Sequence, residues 1–423
     1  MSEKRSTFNP IGKSERIHVL DALRGFAIFG ILMINILVFS GYTYMTEDVH
    51  NGLLLADWNT AFDRIHTVFF RGKFYTLFSL LFGIGFAIQF IRASSTDRSF
   101  LRHFSRRLFF LLLIGIVHLW GIWFGDILVL YALCGYVLIL FKDLPDRKLL
   151  FWAALIILLF PGLYSWYLQM TDGGYTVHLY HWLSESWIET GLPKASAGHE
   201  TFQVHDLAEV VQSHSWSTVL SFNYLGPVLR GYVVSLDGRF FKVLGMFVLG
   251  LWVGRQLLMH KLHENRPFLI RIAVVGFLVG VPMNIVLAMD HPGLDNMWLL
   301  LAMDALTALR YVILTAAYAA AFMLLFRTRL RNLLNGLFNA VGKTALSNYI
   351  LQSLIGILVF YNVGLGLGQY LGSAALTLAV FVIFAFQAVI SVLWLKRYKY
   401  GPLEWVWRVL TYGRYIKNRL PHH

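Results

Sequence analysis

Ten stretches, each near the length of a bilayer crossing, dominate this chain: 20–41, 74–92, 106–123, 126–141, 149–168, 240–258, 269–289, 300–326, 344–363 and 373–395. A run of roughly 20 mostly apolar residues spans a hydrocarbon core only as a helix, because every backbone N–H and C=O must then be satisfied within the segment. The expectation is an all-α fold, a polytopic integral membrane helical bundle of about ten transmembrane helices. Composition agrees, since 57% hydrophobic against 14% charged residues leaves too little polar surface to cover a soluble core.

The formal charge of +13 invites a nucleic-acid reading, but its distribution opposes it. Of the 36 lysines and arginines, 27 fall on alternate connections, from Lys4, Arg5, Lys13 and Arg16 at the start to Arg408, Arg414, Lys417 and Arg419 at the end. By the positive-inside rule those connections are cytoplasmic, so both termini lie inside and the number of spans is even. Basic residues that set topology also attract anionic lipid, and nucleic acid is not expected as a partner. The first span lacks a short apolar core with a small-residue cleavage site and reads as retained. A lone Cys134 excludes an intramolecular disulfide.

Residues 1–168 form a five-helix block carrying an LDxLRG motif, 169–239 an extracytoplasmic loop, and 240–423 a second five-helix block. The loop is rich in His and acid (His178, His181, Glu185, Glu189, His199, Glu200, His205, Asp206, Glu209, His214), with Gly173-Gly174 and Gly191 to Pro193 as breakers. Its second half, SWSTVLSFNYLGPVLRGYVV, is apolar enough to lie in the outer interface. His178 and His181 with Glu185 read as a wet polar surface, and no metal is expected. GLFNAVGKT (336–344) mimics a phosphate loop but has the wrong glycine spacing and no preceding strand, so it reads as a helix entrance with a snorkelling lysine.

Polar groups inside spans are costly and call for a reason. Asp21 and Arg24 sit one turn apart near the cytoplasmic end of the first span, and Asn35 lies eleven residues beyond Arg24, close to three full turns, on the same stripe. Toward the outside, Asp63 and His66 precede the second span, with Arg71 and Lys73 just after them; His118 lies in the third span and Asp126 opens the fourth across the bend at Gly125. A histidine next to a carboxylate can take up and release a proton at neutral pH. Asp304 and Arg310 share the eighth span, while Asn348, Gln352 and Gln387 suit hydrogen bonds between helices. The bland reading of Asp21 and Arg24 is a structural ion pair, and of His118 a packing contact between helices. Against the first stands the suitability of a permanently charged Arg24 for an anion.

RIHVLDALRGFAIFGILMINI (16–36), HLWGIWFGDILVLYALCG (118–135), GKTALSNYILQSLIGILVFYNVGLGLG (342–368) and YGPLEWVWRVLTYG (400–413) resemble the YeiB-like bacterial inner-membrane proteins over nearly the whole chain. That family's C-terminal half is a domain of unknown function. The first-span motif also resembles a wider superfamily of transmembrane acyltransferases, including acyltransferase family three and the heparan glucosaminide acetyltransferase type. This resemblance implies a ten-helix core, a cytosolic acyl-CoA co-substrate contacted by Arg24 with Asp21 holding it, and an acceptor outside. Family three has its catalytic His where this chain has Asn35. The heparan type has Asn there too, and takes its His three residues before a Trp-Asn pair, where Leu55 precedes Trp58-Asn59 here. The base would then be His118 with Asp126, or His66 with Asp63.

The leading functional reading is therefore acyl transfer from a cytosolic acyl-CoA, held by Arg24, Asp21, Asn35 and Arg310, to an extracytoplasmic acceptor. The alternative is a transporter or exporter of a small charged solute on the same polar path, and a third reading is a non-catalytic scaffold. Expected partners are membrane lipid, acyl-CoA and the acceptor, with a second copy of the chain as a further candidate. The expected location is the bacterial plasma membrane.

Overall fold

The computed structural model describes residues 18–93, 98–171, 178, 182, 206–259, 264–288 and 296–420. The terminal charges Lys4 to Arg16, Lys261, and the loop residues His181, Glu185, Glu189, His199, Glu200 and His205 with both sets of breakers lie outside the described residues.

Helices follow in the order α1 (His18–Phe39), α2 (Asn59–Ile65), α3 (Lys73–Arg92), α4 (Arg98–Gly121) and α5 (Leu128–Leu138). Next come α6 (Asp146–Leu158), α7 (Phe160–Met170), α8 (Trp216–Leu236), α9 (Arg239–Met259) and α10 (Arg266–Val286). The last four are α11 (Met297–Leu325), α12 (Ala345–Phe360), α13 (Ser373–Arg397) and α14 (Pro402–Tyr412). Among the described residues there is no β-strand beyond two isolated bridges, Leu54 with Leu371 and Tyr398 with Arg419. The protein is an all-α polytopic membrane helical protein. Many large apolar side chains point outward, as on α13, where Leu378, Val382, Phe386 and Val389 are all more than half exposed. Such an inverted surface requires lipid around it.

All ten predicted spans are helical, but among the described residues eight helices are long and apolar enough to cross a bilayer as single helices, or nine if a bent pair counts as one. The fourth falls short because Asp126 and the turn at Gly125 delay its start, leaving a shorter helical run, Leu128–Phe141. At 1.5 Å per residue it reaches only about 21 Å of a core roughly 30 Å thick. The ninth is broken, with Arg331–Lys343 and Ala345–Phe360 meeting at 86°. Two structural features mark the break. Residues Asn335–Asn339 form one π-helical turn, and Thr344, at the corner, turns its hydroxyl back onto the Ala340 carbonyl. The second span runs on from Ala56 to Arg92 through α2, a π turn at His66–Phe70 and α3.

Close backbone approach holds the two halves together. A Cβ on Gly83 would sit 2.2 Å from the Phe247 carbonyl oxygen, and one on Gly250 2.3 Å from that of Leu80, so α3 and α9 touch main chain to main chain. The same device seats the Arg331–Lys343 segment on α1, where a Cβ on Gly25 would meet the Phe338 oxygen at 2.0 Å. Small residues give such helix pairs their dispersion energy in a solvent that offers no hydrophobic drive. The region read as interfacial, α8, is a 21-residue helix containing Pro227. It packs on the C-terminal end of α4 and donates from Asn223 to the Ile122 carbonyl (3.1 Å).

Candidate active site

At one end of the bundle, arginines gather with few carboxylates. Arg24 on α1 donates to Asp21 (2.8 Å) and remains 31% exposed at its side chain. Its guanidinium lies over the bare backbone of Gly85 on α3, where a Cβ would come within 3.4 Å of Nη2. One turn along, Gln89 donates to the Gly85 carbonyl (2.9 Å) and accepts from Arg107 of α4 (2.8 Å). Arg107 stacks on the Trp407 ring of α14, 4.3 Å from its centroid, and Arg408 and Arg24, both of its own sign, act on its charge. Three helices, α1, α4 and α14, thus present Arg24, Arg107 and Arg408 together, a set suited to a polyanion.

Eleven residues along α4 from Arg107, close to three turns and about 16 Å on the same face, lies His118. It is fully buried, and its Nδ1 is 2.9 Å from Asp126 Oδ1 while its Nε2 is 2.9 Å from Ser353 Oγ on α12. An ionised carboxylate only accepts, so with a neutral ring Nδ1 carries the proton and Nε2 accepts from the Ser353 hydroxyl. That is the tautomer of a general base. Asp126 is fixed in turn: its Oδ2 accepts from the Val129 amide (2.8 Å), and its own carbonyl accepts from Arg230 of α8 (2.6 Å). The Tyr349 hydroxyl accepts from the Ile127 amide (3.2 Å), pinning the bend from the α12 side.

The second pair, His66 and Asp63, does not form as a pair. His66 Nε2 contacts Thr377 Oγ1 (2.7 Å), and Asp63 accepts from the Tyr42 hydroxyl (2.8 Å). Each side chain is thus satisfied by a different element, His66 by Thr377 of α13 and Asp63 by Tyr42. Asn35 is half-buried on α1, on the helix face that also carries Arg24. Arg310 is not near Arg24. It stands by Lys73, both about 5 Å from the centroid of the Tyr311 ring, at the end of α3 opposite Gly85. Twelve residues of helix separate those ends, about 18 Å. Lys73 is 1% exposed and donates to the Thr67 carbonyl (2.8 Å), with no carboxylate ion pair to Lys73 or Arg310 among the described residues. Nearby, Asp237 accepts from Arg239 (2.8 Å) and Lys242 (3.0 Å); burial pushes its carboxyl up, yet these two cations outweigh it and hold it down to about 2.

The amides are the expected glue: Gln352 donates to Gln387 (3.0 Å), Gln387 to the Asn348 carbonyl (2.9 Å), and Asn348 to Ser391 (2.9 Å), tying α12 to α13. Sequence reading missed Ser353 and Arg107. A serine in a span carries no signal of its own, and Arg107 looks like one more topology-setting charge.

Residues 253–414 match the family model described as "Protein of unknown function (DUF418)". Over 96% of its length the chain is 30% identical to "Uncharacterized protein YxaH" of Bacillus subtilis, covering 97% of that protein. The chain belongs to the YeiB-like DUF418 family. It is also 29% identical to "Uncharacterized protein YeiB" of Escherichia coli, over 94% of this chain and 96% of the relative. In this YeiB-like protein the matched region holds α12, and so Ser353, and α14 with Trp407 and Arg408, whereas Arg24, Arg107, His118 and Asp126 lie before it. The candidate site therefore joins both halves of the chain.

Proposed function

We propose that this protein is a transmembrane acyltransferase of the bacterial inner membrane, with both termini cytoplasmic. It moves an acyl group from a cytosolic acyl-CoA to an acceptor at the extracytoplasmic face. The observation that carries this reading is the placement of Arg107 and His118 on one face of α4, about 16 Å apart. The arginine cluster suits the phosphates of the donor, and a pantetheine arm covers the distance to the histidine. His118, held by Asp126, is the base that takes the proton of the hydroxyl or amine attacking the acyl carbonyl. The apolar packing around His118 keeps water from the thioester. The division into residues 1–168, 169–239 and 240–423 is retained, with the donor mouth and base in the first part and the third completing both.

Calorimetry of acetyl-CoA and palmitoyl-CoA with the detergent-purified protein tests the reading, with Arg24→Ala and Arg107→Ala as controls. Saturable binding weakened in both variants is expected. No binding of either donor at millimolar concentration would discard it.

One observation favours the alternative of a transporter for a small charged solute: the 86° break before α12. Broken helices place ion sites near the midplane of secondary transporters, but usually in matched pairs. A single such pair was found among the described residues. Counterflow of a labelled anion in proteoliposomes, without release of CoA from any donor, would turn the choice to transport.

A further inference from the structure

We infer that Ser353 is an acyl-accepting nucleophile, so that transfer proceeds through a covalent acyl-serine and not by direct passage from donor to acceptor. This inference rests on the acyltransfer reading above and deepens it.

Three observations lead to it. Ser353 Oγ, His118 and Asp126 make an unbroken hydrogen-bonded line of 2.9 Å and 2.9 Å, contributed by α12, α4 and the turn before α5. In the neutral ring the line has one direction, because the Asp126 carboxylate accepts the Nδ1 proton and leaves Nε2 as acceptor for the serine proton. A nucleophile bonded to a base that is itself oriented by a third group is the arrangement that activates a hydroxyl for covalent catalysis. Finally, the three side chains are 1%, 0% and 2% exposed. A serine ester between two transfers survives only where water is kept out, and this site excludes it.

The steps balance without any redox change. Ser353 Oγ attacks the thioester carbonyl carbon of the acyl-CoA, and its proton passes to His118 Nε2. The C–S bond breaks, the leaving thiolate takes that proton, and free CoA departs with the acyl group now an ester on Ser353. The acceptor hydroxyl or amine then attacks the ester carbonyl and gives its proton to His118. The bond to Ser353 Oγ breaks, and the serine oxygen recovers the proton. Relay through a serine also separates the two half-reactions in time, so the donor can leave toward the cytosol before the acceptor arrives.

The test uses the full-length protein in detergent with radiolabelled acetyl-CoA or palmitoyl-CoA and no acceptor. Expected are a burst of one equivalent of free CoA per chain and one acyl group on the Ser353 peptide by mass spectrometry. Ser353→Ala loses both, with the burst falling at least roughly 100-fold, the scale of a lost activated nucleophile or base. Ser353→Cys retains the label in a bond that neutral hydroxylamine cleaves, a signature a merely structural serine would not produce. His118→Gln binds donor but forms no label. Label on another residue, or an undiminished burst in Ser353→Ala, would overturn the relay. Donor bound by the wild type without label would also overturn it while leaving acyl transfer standing, and failure of both donors to bind would remove both.

Discussion

His118 and Asp126 are eight residues apart in sequence and joined at 2.9 Å across a bend between two helices, both side chains fully enclosed. The bend is what makes the contact, since α4 ends at Gly121 and α5 does not begin until Leu128. Asp126 serves the fold and the histidine together: one oxygen caps α5 at Val129, and the other orients the imidazole. A residue with both duties is costly to change, so its conservative variant is the informative one.

Asp126→Asn removes the charge that fixes the tautomer while keeping the shape. CoA release with acceptor is expected to fall about 100-fold or more, in the range of lost general-base assistance, with donor affinity unchanged. The measurement is initial rate against donor concentration. A drop confined to KM would place Asp126 in binding instead.

At the arginine end, Arg107→Ala deletes a charge-assisted contact to a bound phosphate, which contributes about 1.5–3 kcal/mol. Donor affinity should weaken roughly 10- to 150-fold by calorimetry. Wild-type affinity should itself decline with added salt, because the cluster is partly exposed and screened. Trp407→Leu, which removes the ring on which Arg107 stacks, should give a smaller loss in the same direction.

How much of this was legible beforehand follows from what is local. All ten apolar stretches became helices, because a hydrophobic run of that length has one stable form in lipid. The His118–Asp126 pair was legible too, its members being separated by a single short bend. Ser353 was not, since it stands 235 positions from His118 and only the tertiary fold joins them. The break at Thr344 escaped because a π turn and a glycine beside an apolar run look the same in a straight span as in a bent one. His66 and Asp63 were close in sequence but took separate partners, Thr377 and Tyr42, which spacing along one helix does not reveal.

Lys73 is the charge with the least evident compensation. It is buried beside Arg310 and Arg71, which both repel it, with its ammonium donating to a backbone carbonyl. Burying an unpaired charge costs free energy that an apolar side chain of similar volume does not incur, so Lys73→Met should unfold at a higher temperature in detergent. A lower midpoint would mean that the ammonium is held by an anion carried through purification, which mass spectrometry of the extracted ligand would identify.

Glu404 offers a pH test outside the spans. From α14 its carboxylate accepts from the amides of Leu346 (2.7 Å) and Ser347 (3.1 Å) and from the Ser347 hydroxyl (2.5 Å), capping the start of α12 after the break. Burial pushes this carboxyl above its ordinary 4.5, and the hydrogen bonds only partly oppose that. A carboxyl raised in the folded state favours folding while it is protonated, so its contribution is fullest below 4.5 and is lost as pH rises through the folded value. Glu404→Gln is a permanently neutral mimic that keeps an oxygen for the two amides. Its melting temperature relative to the wild type should therefore climb as pH is raised from 4.5 toward neutrality. A difference that shrinks over that interval would mean that the ionised carboxylate is the better cap. The three hydrogen bonds at the head of α12 would then outweigh desolvation, and Ser353 would owe its position to a charge.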